Sequence, residues 1–301
     1  MDETENIWHN GKLVNWHDAK VHVLTHSLHY GLAVFEGIRF YDTEEGSAIF
    51  RLKEHIDRLL RSAEISFMKV PYSQKEIIEA VKETVRANNI NEGYIRPIIF
   101  YGYGKMGLNP DGAPVDIAIA VWPWGSYLGQ DAVKIKTSSY IRIHPKTTHA
   151  DAKITGHYVN SIFASVEAKR AGYDEALLLD YQGNVSEGAG ENIFMIKNHK
   201  IYTPPLGNIL PGITRMSIIE LARDETYQVE ERILNLSDMK NADEVFLTGT
   251  AAEVTPVKQI DDKSIGTGKT GIITSELREK FLDIVHGRNN KYEKWISYVN
   301  M

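Results

Sequence analysis

The sequence contains no cysteine. Disulfides, thiolate metal centres and cysteine nucleophiles are therefore excluded together. It has no run of eighteen apolar residues, so no transmembrane helix is expected. No long block of like charge occurs, and a net charge of -6 with a pI near 6.0 argues against a nucleic-acid binder. Internal repeats and low-complexity tracts are missing as well. The opening segment, MDETENIWHNGKLV, is acidic and polar where a signal peptide would be basic and then apolar, which predicts a cytoplasmic protein.

What is present is ordinary globular material. The 301 residues are 43% hydrophobic and 25% charged, enough for two domains with a core each. The turn-rich, aromatic stretch WPWGSYLGQ suggests a linker over residues 123-132, between an N-terminal domain 1-122 and a C-terminal domain 133-301. Trp124 and Tyr127 would then stand at the mouth of a cleft between domains, or serve as plain packing.

Residues 7-50 alternate apolar and polar positions, with turn signals at Asn10-Gly11 and Glu45-Gly46, and read as short strands. His22, His26 and His29 tempt a zinc reading, but no carboxylate completes the set and the flanking residues suit strand and loop better than helix. RLKEHIDRLLRSAEI places Ile56, Leu59, Leu60 and Ala63 on one helical face, with Arg58 beside the stripe. The next helix repeats Ile77, Ile78, Val81 and Val85. A strand then leaves into a loop holding Gly102, Gly104 and Gly107, a formal GxGxxG. The dinucleotide reading fails because Asn109-Pro110-Asp111-Gly112 follows where a helix should begin. Tyr94 and Arg96, two apart on that strand, face one side. Near the C-terminus Gly268-Lys269-Thr270 resembles a P-loop end, but Lys263 occupies the position that motif requires to be glycine.

The most informative stretch runs from His149 to Asn192. Lys153 sits in a short polar segment before a helix whose apolar face is Val159, Ile162, Phe163 and Val166, ended by Gly172. A strand and a tight turn follow, and then Glu187 in the glycine-rich VSEGAGEN turn. This order suits pyridoxal phosphate. An aldehyde cofactor needs one amine to hold it as a Schiff base, and lysine, titrating normally at about 10.4, must reach its neutral form there. The ring nitrogen acts as an electron sink only while protonated, so a carboxylate must lie against it. Tyr158 could donate to the cofactor's phenolic oxygen. Pro211-Gly212 opens a helix whose first amides, at Gly212, Ile213 and Thr214, suit either a plain capped helix or an anion site. Gly249-Thr250-Ala251-Ala252 ends a strand, and its turn could offer the Thr250 hydroxyl to a phosphate and the Thr250 and Ala251 amides to a carboxylate.

HADAKITGHYVNS, SEGAGENIF, LPGITR, GTAAEVTPV and HYGLAVFEGIRFY resemble, in the right order and over nearly the whole chain, the motifs of branched-chain amino acid aminotransferases of the fold-type IV pyridoxal phosphate group. The resemblance implies a two-domain α+β fold, with a small N-terminal α/β domain and a larger C-terminal domain built on a β-barrel-like sheet. It implies transamination between L-leucine, L-isoleucine or L-valine and 2-oxoglutarate, by ping-pong chemistry through an internal aldimine on Lys153, in branched-chain amino acid biosynthesis. It makes Arg58 a phosphate contact, places Gly249 with the cofactor residues, and makes Phe35, Gly37, Arg39, Tyr94 and Arg96 parts of a substrate pocket. Tyr30 and Leu108 would be lent to the pocket of a neighbouring subunit, which implies at least a homodimer. The partners expected are small amino acids and 2-oxo acids, with no nucleic acid, membrane or metal.

Overall fold

A computed structural model describes residues 2-125, 128-129 and 131-300 of the chain. The chain forms two compact units. The first comprises Met1–Gly125, Ala152–Gly156 and Asp283–Met301, and the second Ser126–Asp151 and His157–Leu282.

In the first unit, β1 (Asn6–His9) and β2 (Lys12–Asn15) form a hairpin. Its turn residues Asn10 and Gly11 have φ of 47° and 93°, the left-handed pair that an Asn-Gly turn supplies at least cost. Then follow α1 (His26–Tyr30), β3 (Ala33–Phe35), β4 (Ile38–Tyr41), β5 (Ala48–Phe50), α2 (Leu52–Ile65), α3 (Gln74–Ala87), β6 (Gly93–Tyr101) and β7 (Val115–Trp122). With β17 (Ile296–Tyr298) the strands make an antiparallel sheet in the order β17-β5-β4-β6-β7-β1-β2, and β3 pairs with β6. Ile56, Leu59 and Ala63 of α2 and Ile77, Val81 and Val85 of α3 are buried in one core with Ile38, Phe40, Ile95 and Ile117, while Leu60 and Ile78 lie at its margin. Each of these side chains except Ala63 contributes roughly 1.5-3 kcal/mol of apolar burial. A capping box of Ser73 and Glu76 starts α3.

Two features of this unit differ from the sequence reading. A short helix, α1, stands where strand and loop were expected, closed by Gly31 at φ 69° donating to Ser27 O. The unit also takes in residues beyond 1-122. Ile154 bridges Val34, and β17 covers the edge of β5, so unpaired strand edges draw in distant chain.

The second unit holds β8 (Val133–Thr137), α4 (Tyr158–Arg170), β9 (Glu175–Leu179), β10 (Val185–Gly188), β11 (Asn192–Lys197), β12 (Lys200–Thr203), α5 (Ile213–Asp224), β13 (Val229–Glu231), α6 (Leu236–Lys240), β14 (Glu244–Gly249), β15 (Glu253–Ile260), β16 (Lys263–Ser264) and most of α7 (Ile272–Val285). Its mixed sheet runs β10-β9-β8-β15-β14-β11-β12-β13, with β16 on β15, and curls into a half-barrel. Ile135, Leu177, Ile193, Leu247 and Ile260 fill its core.

Helix α4 corrects the sequence reading. Val159, Ile162, Phe163 and Val166 are 53, 58, 53 and 40% exposed, and Ala164 and Ala168 are the residues buried, in a cluster with Ala176 and Leu178. Small side chains let the helix approach β9 closely. Periodicity locates an apolar stripe but not the surface that it faces.

Candidate active site

In the first unit the backbone of Lys153 is held from both sides. Lys153 O accepts from Phe35 N at 3.1 Å, and Lys153 N donates to Ser62 Oγ of α2 at 3.1 Å. Gly31 O accepts from Thr155 Oγ1 at 2.8 Å and from Gly156 N at 2.9 Å, which ties down the next residues. The segment is thus a loop stitched to β3, α1 and α2. Lys153 Nζ lies 4.8 Å from the centroid of the Phe35 ring. The guanidinium of Arg96 lies 4.8 Å from the same ring, 5.3 Å from that of Tyr94 and 5.9 Å from that of Trp122, and its Nε is buried with no hydrogen-bond partner among the described residues. Tyr94 meets Trp124 edge-on at 4.3 Å, and Arg39 Nη2 donates to Trp124 O at 3.1 Å. A Cβ at Gly37 would stand 1.8 Å from Tyr94 Oη, so only glycine admits that phenol. Phe35, Gly37, Arg39, Tyr94, Arg96, Trp124 and Lys153 therefore share one aromatic and cationic corner. Its rings can meet apolar groups and its cations an acid.

Arg58 is not a solvated helix arginine. Its Nε donates to Glu36 Oε1 at 2.6 Å and its Nη2 to Glu36 Oε2 at 2.9 Å, with the carboxylate wholly buried. His55 Nδ1 lies 2.7 Å from Glu36 Oε2. Burial pushes the Glu36 carboxyl upward, but the charges and hydrogen bonds of Arg58 and His55 outweigh it and hold the group well below the usual range. Burial lowers the His55 pKa, against the opposing pull of Glu36.

Tyr30 and Leu108 stand together on an exposed part of this unit. Gly107 N donates to Tyr30 Oη at 3.1 Å, His26 Nε2 lies 2.8 Å from Gly107 O, and Leu108 is 89% exposed. Tyr127 lies outside the described residues.

In the second unit Glu187 lies within β10, at the end of the sheet, rather than in a turn. The pairing register with β9 shifts between Val185 and Glu187. Its oxygens accept from Arg142 Nε at 2.5 Å, Asn192 Nδ2 at 3.0 Å and Leu210 N at 3.1 Å. Asn192 Nδ2 also donates to Leu210 O at 2.9 Å, and a Cβ on Gly212 would lie 1.9 Å from Asn192 Oδ1. The carboxylate is thereby linked to the start of α5, where Gly212 is the N-cap, no side chain caps the helix and no acid occupies its first turn. Ile213 and Thr214 are buried there. Across the sheet, Gly249 approaches Gly190 O, 3.5 Å from where its Cβ would be, and the half-buried Thr250 and Ala251 form the turn between β14 and β15. Tyr158 is the first residue of α4 and is partly buried.

Sequence reading missed Glu36, His55, Arg142 and Asn192. A faint signal exists for two of them. Glu36 interrupts the apolar run AVFEGIRF and Arg142 sits between two isoleucines, and charges in apolar runs are seldom buried without a partner. Among the described residues there is no group of three histidines or carboxylates placed to hold a metal, and no helix long and apolar enough to cross a membrane.

Comparison with known proteins finds relatives over nearly the whole chain. The model of the family described as amino-transferase class IV matches residues 33-260. The branched-chain-amino-acid aminotransferase of Pseudomonas aeruginosa is 47% identical, covering 97% of each chain. Among solved structures, the crystal structure of the Escherichia coli branched-chain amino acid aminotransferase superposes with a TM-score of 0.97, at 43% identity, covering 99% of this chain and 100% of its own. That of the Thermobaculum terrenum branched-chain amino acid aminotransferase, in its PLP-bound holo form, superposes with a TM-score of 0.94, at 34% identity and full coverage of both chains. The two-domain α+β fold expected from the motifs is thus the fold of those enzymes. Family model, near-complete sequence likeness and near-complete structural likeness converge, and the chain belongs to the class IV aminotransferases, within the branched-chain amino acid aminotransferase family.

Proposed function

We propose that this chain is a pyridoxal 5'-phosphate-dependent enzyme that exchanges the amino group of L-leucine, L-isoleucine or L-valine with 2-oxoglutarate, giving the branched-chain 2-oxo acids and L-glutamate. The observation that carries the reading is the fixed Lys153, held through its own N–H and C=O with its amine over the Phe35 ring. Each unit carries groups of the kind the cofactor needs: an anchored lysine and a largely buried arginine in the first, a buried carboxylate and an uncapped helix start in the second. Bound there, pyridoxal phosphate would supply an aldehyde for the amine and a protonated ring able to accept the electrons of the substrate's Cα–H bond.

The protein's own groups then divide the work. Lys153 Nζ would hold the cofactor at rest; once the substrate amine has displaced it, the freed amine would take the proton from the substrate Cα and hand it on, acting as base and then acid. Glu187, oriented by hydrogen bonds from Arg142 and Asn192, would accept from the proton-bearing ring nitrogen of the cofactor. Tyr158 donates to the phenolic oxygen. Arg58, the Ile213 and Thr214 amides at the α5 start and the Thr250 hydroxyl bind the phosphate, with Gly212 and Gly249 leaving room for it. Phe35, Gly37, Tyr94 and Trp124 line the substrate side, Arg39 and Arg96 meet acidic groups, and the Thr250 and Ala251 amides take the substrate carboxylate. Tyr30 and Leu108 reach the pocket of a second copy. The exposed apolar residues Val23, Leu28, Tyr30 and Leu108 support such an assembly. We place this homodimer, or a larger assembly of dimers, in the cytoplasm, in branched-chain amino acid biosynthesis.

Amino-donor profiling with 2-oxoglutarate as acceptor tests the reading. The three branched-chain L-amino acids should lead, and Lys153→Ala should abolish transfer. D-alanine outrunning L-leucine, or turnover in Lys153→Ala, would overturn it.

A further inference from the structure

Arg58 leaves α2 beside the buried stripe and gives two N–H groups to one carboxylate. A guanidinium on a free stem samples many rotamers, so its plane is undefined unless something holds it. Glu36 is well placed to hold it. The residue follows β3, its own N–H donates to Pro97 O at 2.9 Å, and the preceding Phe35 N–H donates to Lys153 O. Its Oε2 also accepts from Gly37 N at 3.2 Å and faces His55 Nδ1 at 2.7 Å. Because an ionised carboxylate only accepts, His55 Nδ1 carries the proton. His55 stands three residues before Arg58, on the same side of α2.

A buried ion pair is a poor stabiliser, since desolvation roughly cancels its attraction and apolar side chains of similar volume do as well or better. What the pair does supply is a single orientation. We infer that Glu36, aligned by His55, is a positioning residue for Arg58, fixing the guanidinium so that it meets the phosphate of the cofactor in one pose. This rests on the reading of Arg58 as a phosphate contact. The alternative physical outcome has the opposite sign, because a carboxylate that mainly cancels the arginine's charge would weaken phosphate binding, and its removal would strengthen it.

The test uses full-length protein stripped of cofactor and titrated separately with pyridoxal 5'-phosphate and with pyridoxal, which lacks the phosphate. The quantity read is the ratio of the two dissociation constants. Arg58→Met should collapse the preference for the phosphorylated form. Glu36→Gln and Glu36→Asp should each lower the preference about tenfold, with pyridoxal affinity unchanged, and His55→Gln should do so more weakly. Glu36→Gln added to Arg58→Met should cause no further loss, because the two act as one unit. If Arg58→Met leaves the ratio intact, the phosphate reading of Arg58 fails and the inference with it. If Arg58→Met lowers the ratio while the Glu36 variants leave it unchanged, raise it, or weaken both ligands equally, the inference alone fails. Should Glu36→Gln not fold, Glu36→Asp, which keeps the charge but withdraws it, and His55→Gln decide by the same criterion.

Discussion

Arg142 Nε donates to Glu187 Oε1 at 2.5 Å, with only 9% and 6% of the two side chains exposed. Removing one partner of such a pair leaves a charge buried alone, at a cost of about 3-5 kcal/mol. Arg142→Met should therefore lose stability of that order in urea unfolding. Glu187→Gln keeps an acceptor for Arg142 and should lose less stability, while its turnover number falls sharply because a neutral amide does not balance the charge of a protonated ring nitrogen. Equal stability losses in the two variants would contradict this division.

Gly37 admits the Tyr94 hydroxyl where a Cβ would stand 1.8 Å away. Gly37→Ala should fold, since Gly37 lies between β3 and β4 and not within either, but kcat/KM for L-leucine should drop about tenfold or more as Tyr94 is displaced. Adding Tyr94→Phe should restore part of the loss and no more, because the ring carbon bearing the hydroxyl would still lie 2.7 Å from the new methyl. Steady-state kinetics of the two variants settle the point.

Gly212 meets Asn192 in the same way, at 1.9 Å from its Oδ1. Gly212→Ala should push the start of α5 away from Asn192 and weaken pyridoxal phosphate binding about tenfold in a spectroscopic titration. Unchanged cofactor affinity would remove the helix start from the phosphate site.

Acid should weaken the fold in two stages. His55 is depressed below 6.5 by burial, so the unfolded chain binds the extra proton first, and the stability present above about pH 6.5 is lost as pH falls below it. Glu36 is depressed below 4.5, because Arg58 and His55 outweigh its burial, and its contribution, present above about pH 4.5, is lost below that value. Denaturant unfolding across a pH series should show His55→Gln flattening the first stage and Glu36→Gln the second. An unchanged slope between pH 6.5 and 4.5 in His55→Gln would remove His55 as its source.

The exposed stripe of α4 bears on assembly. Phe163→Asp replaces a side chain that is 53% exposed, so the stability of the single chain should change by less than about 0.5 kcal/mol. If α4 is an interface between copies, sedimentation should show a smaller particle. An unchanged mass would leave the stripe outside the contact.

How much of this was legible beforehand depends on the range of the interaction. The stripes of α2 and α3 were readable because Ile56, Leu59, Ala63, Ile77, Val81 and Val85 pack on their own unit's core. The Asn10-Gly11 turn was readable because φ preference is a property of the residues themselves. The stripe of α4 misled because the same periodicity can face solvent or a second molecule. The partner of Arg58 is 22 residues away and that of Glu187 is 45 residues away, and no local pattern encodes such separations.

By itself, then, the sequence determined the family, the two-domain class and the helices that bury their own apolar faces, because motif order, backbone preference and side-chain periodicity are carried by neighbouring residues. The tertiary structure alone decided that Glu36 and His55 flank Arg58, that Arg142 and Asn192 hold Glu187, and that Ile154 and the C-terminal strand return to the N-terminal unit. Those contacts exist only once distant segments have folded back on one another, and the charge on a side chain does not say which opposite charge burial will bring to it.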